Sequence, residues 1–286
     1  GLFIKVAQVV ANEFGVDISR VKVSATSTAK VPNTSPTAAS SGSDLNGMAA
    51  REACLRIKKN LRHFAVEYYG VNEDDIKFEG SLLLAGKKQI PFDEFIALAY
   101  LNRVELFSNG FYKAPKIHFD AVKQKGRPFF YYSYGGCVSE VIVDCLTGEY
   151  KLLGIGILHD VGASLNPAID TGQIVGGFIQ GMGWLCSEEL KWSESGALLT
   201  IGASTYKIPA IGDTPEHFEV KIKPNISNHE NTIHKSKAVG EPPLMLAIST
   251  WLSIKNAIFN ADKENITGLN APASFEQVFF SLNKTP

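Results

Sequence analysis

Apolar residues at the start of the chain recur at the spacing of a helix. They fall three or four positions apart up to Phe14, and Gly15 then provides a helix stop. The members of this face are Leu2, Phe3, Val6, Val9, Val10 and Phe14. The stretch Val21–Thr26 instead alternates apolar and polar residues, which is typical of a short strand. The pattern therefore predicts one amphipathic helix followed by one strand.

Between Ser27 and Ser43 the apolar pattern stops, and Ser, Thr, Ala, Asn and Pro dominate. Composition alone favours a flexible linker in this stretch. A helix follows at once, however, because Ser43 or Asp44 can cap it and apolar residues then line one face. That face comprises Ala50, Ala53, Cys54, Ile57, Leu61, Phe64 and Ala65. Backbone N–H groups at such a helix start can bind an anion, so we expect an ordered loop.

The middle of the chain is dominated by strand patterns, with one helical pattern over Asp93–Asn102. The predicted strands are Ser81–Leu84, Val104–Phe107, Tyr131–Cys145, Tyr150–His159, Leu198–Tyr206 and His217–Ile222. The turn Leu146–Glu149 joins two of these strands and predicts a hairpin. No internal repeat or domain linker is evident. The mixture of elements indicates an α/β or α+β protein, and we predict the α+β class.

Two further helices are predicted in the second half of the chain. Asn166 and Pro167 open one that ends near Glu189. It contains five glycines, and each lowers helix stability by up to about 1 kcal/mol relative to alanine. We therefore expect this helix to pack closely against another backbone or a ligand. The second helix starts at Glu241-Pro242-Pro243 and is apolar nearly all round, so we expect it to be deeply buried.

Composition and charge narrow the class of protein. The 286 residues are 45% hydrophobic and 20% charged, which is typical of a soluble globular protein. A net charge of −1 gives no electrostatic reason to expect nucleic acid or an anionic membrane as a partner. No apolar run approaches the roughly 20 residues that span a bilayer, and the chain begins at Gly1 without the pattern of a signal peptide. Four widely spaced cysteines, without a paired zinc motif, favour buried reduced thiols in a cytoplasmic protein.

Glu241 is the candidate catalytic residue that the pattern alone identifies. It precedes two prolines at the mouth of the apolar helix, and carboxylates are rarely buried without a reason. The simpler interpretation is a helix cap, in which the carboxylate accepts from free N–H groups of the first turn. Asp160 is interpreted as a residue of a strand end or turn, because no nucleophile motif surrounds it. Spacing alone leaves both interpretations of Glu241 open.

The loop Pro32–Ser40 carries the second chemical feature. Its prolines restrict the backbone, and its small hydroxyl residues can donate and accept hydrogen bonds. It is either a loop held by its own side-chain-to-backbone bonds or a cradle for an oxyanion or phosphate. Both alternatives remain open from composition.

Four motifs in order resemble signatures of the xanthine dehydrogenases, which belong to the molybdenum hydroxylase family. They are Val31–Ser40 with Asp44–Gly47, then Asp160–Gln173, Thr205–Ala210 and Ser236–Leu244. Together they span about residues 1–260. Aldehyde oxidases are similar, but a small residue is expected after Gly240-Glu241 in that group, whereas two prolines stand here. The resemblance implies that residues 1–286 are the C-terminal molybdopterin-binding region of such an enzyme.

Site roles follow from this resemblance. Glu241 would be the catalytic base beside the molybdenum, and Ala39 would place its backbone against the ligand sphere of the metal. The molybdopterin would be held by Thr37, Ala38, Ala39, Ser40 and Gln173. Gly42 stands where a small hydroxyl residue is expected, which removes one hydrogen bond to the cofactor. The implied reaction is hydroxylation of purines, from hypoxanthine to xanthine and urate.

The resemblance also implies partners that this chain does not contain. The purine-gripping residues and a cofactor-contacting glutamine are expected upstream of Gly1, and iron–sulfur, FAD and NAD sites are expected in other domains or subunits. We therefore expect the chain alone to be inactive and the complete assembly to be a homodimer. The alternatives are an aldehyde oxidase-type hydroxylase, or a non-catalytic assembly or dimerisation fragment with Glu241 as a helix cap.

Overall fold

The computed structural model describes residues 1–29, 37–38, 40–261 and 268–283. The chain folds into two compact units. Unit 1 comprises Gly1–Tyr131 and Asn228–Ser236, and unit 2 comprises Tyr132–Ser227 and Lys237–Pro286. Both units combine helices with small sheets, so the predicted α+β class is confirmed. No helix among the described residues is long and apolar enough to cross a bilayer.

Three α-helices are the longest elements of unit 1. They are α1 (Leu2–Phe14), α2 (Gly42–Tyr69) and α3 (Phe92–Leu101). Helix α1 ends as predicted at Gly15, which adopts the left-handed conformation with φ 63°. A side chain at Gly15 would also collide, because its Cβ would lie 2.3 Å from the Phe78 carbonyl oxygen. Both the turn and the close approach therefore require glycine at this position.

Unit 1 also contains two small antiparallel sheets. The strands are β1 (Ile76–Glu79), β2 (Leu82–Ala85), β3 (Lys88–Pro91), β4 (His118–Asp120) and β5 (Lys125–Arg127). The first three form one sheet in chain order, and β4 pairs with β5. The three-stranded sheet packs with α2 and α3 around Leu61, Ile76, Leu83 and Phe95, all of which are buried.

Residues 228–236 return to unit 1 late in the chain. The Glu230 carboxylate accepts hydrogen bonds from Lys116 at 2.8 Å and from Arg127 at 2.7 Å. Ile233 is fully buried, and a side-chain carbon at Gly47 of α2 would lie only 3.2 Å from it. This short segment is therefore a structural part of unit 1 although it is distant in sequence.

Unit 2 is a three-stranded sheet covered by helices. The elements are β6 (Gly135–Val143), β7 (Tyr150–His159), α4 (Pro167–Cys186), β8 (His217–Ile222), α5 (Ile248–Ala261) and α6 (Phe275–Leu282). The strands β6 and β7 form the predicted hairpin, and β8 pairs parallel to β7. The core that the sheet shares with α4 and α5 includes Ile155, Ile157, Phe178 and Ile254. Parallel pairing needs a long crossover, and α4 lies within it.

Three predicted strands are wrong. Val21–Thr26 and Val104–Phe107 have no regular structure, and Leu198–Tyr206 contributes only one isolated bridge, from Leu198 to Trp192. Alternation identifies a half-buried extended segment, but a strand also needs a partner for its backbone groups. None of these three segments pairs with another strand to form a ladder among the described residues, so the alternation alone was insufficient.

The cysteines are free thiols, as predicted, but they are not all buried. Cys54 and Cys186 are buried, Cys137 is half-buried and Cys145 is exposed. Burial raises the pKa of Cys54 and Cys186 to about 11, which keeps both thiols protonated at neutral pH.

Candidate active site

Glu241 is exposed at the start of a 3-10 helix, Pro242–Ala247, that leads into α5. It occupies the N-cap position, yet its side chain accepts no hydrogen bond from the helix. The capping bond that the simpler interpretation requires is therefore absent. The expected deep burial of the helix is also wrong, because Pro243 and Ala247 are buried while Met245 is 56% exposed. One face of this segment packs on the core and the other reaches solvent.

The glycines of α4 explain where this segment packs. A Cβ at Gly177 would lie 3.1 Å from the Gly240 carbonyl oxygen, and one at Gly181 would lie 2.3 Å from the Leu244 carbonyl oxygen. The predicted close packing of α4 against another backbone is confirmed at these two positions. A Cβ at Gly172 or Gly176 would meet nothing within 4 Å. The two pairs of glycines therefore line different surfaces of the same helix.

Gln173 and Glu241 belong to neighbouring elements of unit 2. Gln173 lies one helical turn before Gly177, which contacts the residue that precedes Glu241. Both side chains are exposed, and within the described part of the chain no hydrogen bond or ion pair engages either of them. The fold thus leaves a carboxylate and an amide available to a ligand.

The other predicted cofactor residues lie in unit 1, beside the start of α2. Thr37 and Ala38 are exposed and Ser40 is half-buried with φ 53°, whereas Ala39 lies outside the described residues, as do residues 30–36. The helix begins at Gly42, so the N-cap is Ser41 and not the predicted Ser43 or Asp44. The prediction of an ordered loop over residues 27–43 therefore falls partly on residues that are not described.

Backbone and side-chain contacts hold the described end of this loop. The Ser41 hydroxyl donates to the Ala38 carbonyl at 2.9 Å, and the Ser41 N–H reaches the same oxygen at 3.3 Å. A Cβ at Gly42 would lie 2.8 Å from Leu2 Cδ2 and 2.9 Å from Thr37 Cγ2. The hydroxyl residue that the resemblance implies at position 42 would therefore require the side chains of Leu2 and Thr37 to shift.

Asp44 is a residue of this region whose role the sequence did not indicate. The Tyr131 hydroxyl donates to its Oδ2, while Oδ1 is buried and has no hydrogen-bond partner among the described residues. Burial raises the pKa of Asp44 to about 6, against the opposing effects of the Tyr131 hydrogen bond and of Lys5. Its position in the Asp-Leu-Asn-Gly motif was the available signal, but the pairing with a residue 87 positions away was not visible.

A family model described as "Molybdopterin cofactor-binding domain" matches residues 1–215. The chain belongs to this family. It is 43% identical over 97% of its length to xanthine dehydrogenase/oxidase of Felis catus, and 40% identical over the same share to xanthine dehydrogenase of Oryza sativa subsp. japonica. In each case it spans about a fifth of the relative, 20% of the length.

Solved structures agree on the fold. Quinoline 2-oxidoreductase from Pseudomonas putida 86 matches 99% of this chain with a TM-score of 0.82 and 21% identity, and the match covers 35% of that protein. The family model thus confirms the predicted family membership, and the solved structure confirms the predicted fold.

Proposed function

We propose that this chain holds part of a molybdenum–molybdopterin cofactor and supplies the catalytic base, Glu241, of a larger enzyme that hydroxylates purines. Residues 1–286 would form the C-terminal molybdopterin-binding region of that enzyme. The observation that carries the proposal is the exposed, uncapped carboxylate of Glu241 on a segment that packs against α4, the helix that bears the exposed amide of Gln173. The identity to xanthine dehydrogenases favours purines over aldehydes as the substrate class.

The described residues fit such a cofactor. Gln173 in unit 2 can donate to and accept from a polar ligand. In unit 1, Thr37 and Ser40 carry hydroxyls that can do the same, and Thr37 and Ala38 are exposed before the start of α2. Ala39 completes this set in the proposal. When bound, the cofactor would supply the oxygen atom for hydroxylation and accept the electron pair from the purine.

Glu241 would take up a proton as the base of the reaction. A general base must be held in place, must be ionised before the reaction, and must not be occupied by a structural bond. Gly177 holds the backbone at Gly240, and no helix N–H engages the Glu241 carboxylate. The side chain therefore has a fixed backbone and an available carboxylate.

Other parts of the enzyme would complete the site. We propose that an upstream portion grips the purine and that iron–sulfur, FAD and NAD sites lie in further domains or subunits of a homodimeric assembly. The chain spans 20% of the length of its curated relatives, which is consistent with such an arrangement.

The test is Glu241→Gln in the complete enzyme, with Glu194→Gln as the matched control. Glu194 is also exposed in unit 2 and engages no described partner, so its substitution makes the same chemical change elsewhere. General-base catalysis contributes roughly 10²- to 10⁴-fold to a rate, and we expect Glu241→Gln to lose at least that much in the reduction of the enzyme by hypoxanthine.

Molybdenum content and melting temperature should stay unchanged in both variants. The proposal fails if Glu241→Gln keeps more than about a tenth of the reduction rate with full molybdenum, a loss below the general-base range. Faster reduction by an aromatic aldehyde than by hypoxanthine in the unmodified enzyme would instead support the aldehyde oxidase alternative.

A further inference from the structure

A buried ion pair lies at the start of residues 237–247, the segment that carries Glu241. Asp160 follows β7, and Lys237 stands four residues before Glu241 in the chain. The Lys237 ammonium donates to Asp160 Oδ2 at 2.6 Å, and the two side chains are only 5% and 6% exposed. Charged side chains of this kind are almost never fully buried unless they are paired.

The remaining hydrogen-bonding groups of the pair also have partners. Lys237 Nζ donates to the Tyr132 carbonyl at 2.9 Å and lies 5.1 Å from the centre of the Tyr134 ring. Asp160 Oδ1 accepts from the Gly162 N–H at 2.8 Å. A buried ion pair is tolerated only when its geometry is good and its other donors and acceptors are satisfied.

Stability alone does not explain such a pair, because apolar side chains of similar volume are often at least as stabilising. The pair does fix the backbone locally. The Lys237 N–H donates to the Val161 carbonyl at 2.8 Å, so both the main chain and the side chain of Lys237 are anchored to the end of β7. This end of the Glu241 segment therefore has one defined position.

The other end of the segment is held by α4. Gly177 approaches the Gly240 carbonyl and Pro243 so closely that an added Cβ would lie 3.1 and 3.2 Å from them. Val239, between the two anchors, is buried. Glu241 is the exposed side chain of a short segment with a charged anchor on one side and a packed anchor on the other.

His159 next to the pair cannot replace Lys237 as the counter-ion. Its ring is buried, and neither nitrogen has a hydrogen-bond partner among the described residues. Burial has the largest effect and lowers the pKa of His159. The Asp160 carboxylate raises this pKa and the Lys237 ammonium lowers it, so the net effect is a lowered pKa. The imidazole is therefore neutral at neutral pH, and Lys237 is the cation that faces Asp160.

We propose that Lys237 and Asp160 are positioning residues for Glu241, which rests on the proposed role of Glu241 as the base. They touch neither substrate nor cofactor in this proposal; they act by fixing the backbone from which the carboxylate projects. A displacement of about 1 Å at a reacting group can lower a rate by roughly 10²-fold.

The experiment uses the complete enzyme with the double variant Lys237→Met/Asp160→Asn. Both substitutions nearly preserve shape, and together they remove the pair without leaving one buried charge alone. The control Lys221→Met/Glu219→Gln removes an exposed ion pair of 2.8 Å on β8 of the same unit. The readouts are the rate of reduction by saturating hypoxanthine per molybdenum, the dissociation constant of hypoxanthine and the melting temperature.

For the double variant we expect a fall of about 10²-fold in the reduction rate. The dissociation constant of hypoxanthine should change less than about twofold, because the ion pair positions the base for the reaction and does not bind the substrate. Lys237→Arg keeps the ion pair and should regain most of the rate. A double variant with full molybdenum within about threefold of the unmodified rate, a far smaller loss than displacement of the base predicts, would overturn the proposal. So would a Lys237→Arg variant as slow as the double variant.

Two further comparisons keep the test decisive. If the double variant lacks molybdenum, Asp160→Asn alone is measured, and a rate unchanged from the unmodified enzyme contradicts the proposal. Glu241→Gln is measured in parallel. If it remains active, the proposed function fails; if it is inactive while the Lys237 variants are fast, only the positioning role fails.

Discussion

Replacement of Gly181 by alanine tests the close packing of α4 against the segment that carries Glu241. The added Cβ would lie 2.3 Å from the Leu244 carbonyl oxygen and 3.0 Å from the Ala247 Cβ. Comfortable contacts between heavy atoms begin near roughly 3.5 Å, so the two backbones would have to separate by about 1 Å. Gly176→Ala, on the same helix, is the matched control because its Cβ would meet nothing within 4 Å.

The two variants share one energetic effect and differ in another. Each gains about 0.8–1.0 kcal/mol from the higher helix propensity of alanine. Only Gly181→Ala also suffers overpacking, which typically destabilises by about 1–3 kcal/mol. The control should therefore be more stable than the unmodified chain. The free energy of unfolding of Gly181→Ala should be about 1–3 kcal/mol lower than that of the control, which is the cost of overpacking.

Urea unfolding followed by tryptophan fluorescence measures this difference in free energy of unfolding. All three tryptophans, Trp184, Trp192 and Trp251, belong to unit 2, so the signal reports the unit that contains both glycines. Equal stability of the two alanine variants, or a more stable Gly181→Ala, would refute the packing argument. It would mean that the contact between α4 and the Glu241 segment is looser than the backbone positions indicate.

Two further predictions concern pH. Burial lowers the pKa of His159, so as pH falls below about 6.5 the unfolded chain takes up a proton that the folded chain does not, and the free energy of unfolding decreases. In urea unfolding at pH 7, 6 and 5, the free energy of unfolding of His159→Leu should decrease less with falling pH than that of the unmodified chain. An equal decrease in both would contradict this. Asp44 has the opposite sign: its pKa is raised from 3.8 to about 6, so stability falls as pH rises between these values. Asp44→Asn should therefore raise the free energy of unfolding at pH 7 by up to about 3 kcal/mol, and by less to the extent that solvent reaches the side chain. A variant less stable than the unmodified chain at pH 7 would show that burial does not destabilise the ionised carboxylate.

Local signals predicted much of the fold. The period of α1 and its Gly15 stop, the turn between β6 and β7, and the Asn166-Pro167 start of α4 each lie within a few residues, so propensity and capping identify them. The strand predicted at Val21–Thr26 failed because pairing depends on a distant partner that local alternation does not reveal.

The candidate site likewise has features that the sequence predicted and features that only the folded chain shows. Glu241 was identifiable because its glycine and proline neighbours are adjacent in sequence. The pair of Lys237 with Asp160 spans 77 residues, so only the folded chain brings it together. The absence of a capping bond at Glu241 likewise depends on side-chain geometry and not on spacing.

The return of residues 228–236 to unit 1 has a consequence for synthesis. Domains generally fold as units while the N-terminal part emerges first from the ribosome. Unit 1 cannot complete its packing in that order, because Glu230 and Ile233 are made only after the stretch Tyr132–Ser227 of unit 2. Until then Lys116 and Arg127 lack their carboxylate partner and the site of Ile233 is open. A nascent chain stalled before residue 228 should therefore hold an incomplete unit 1 and be a target for chaperones.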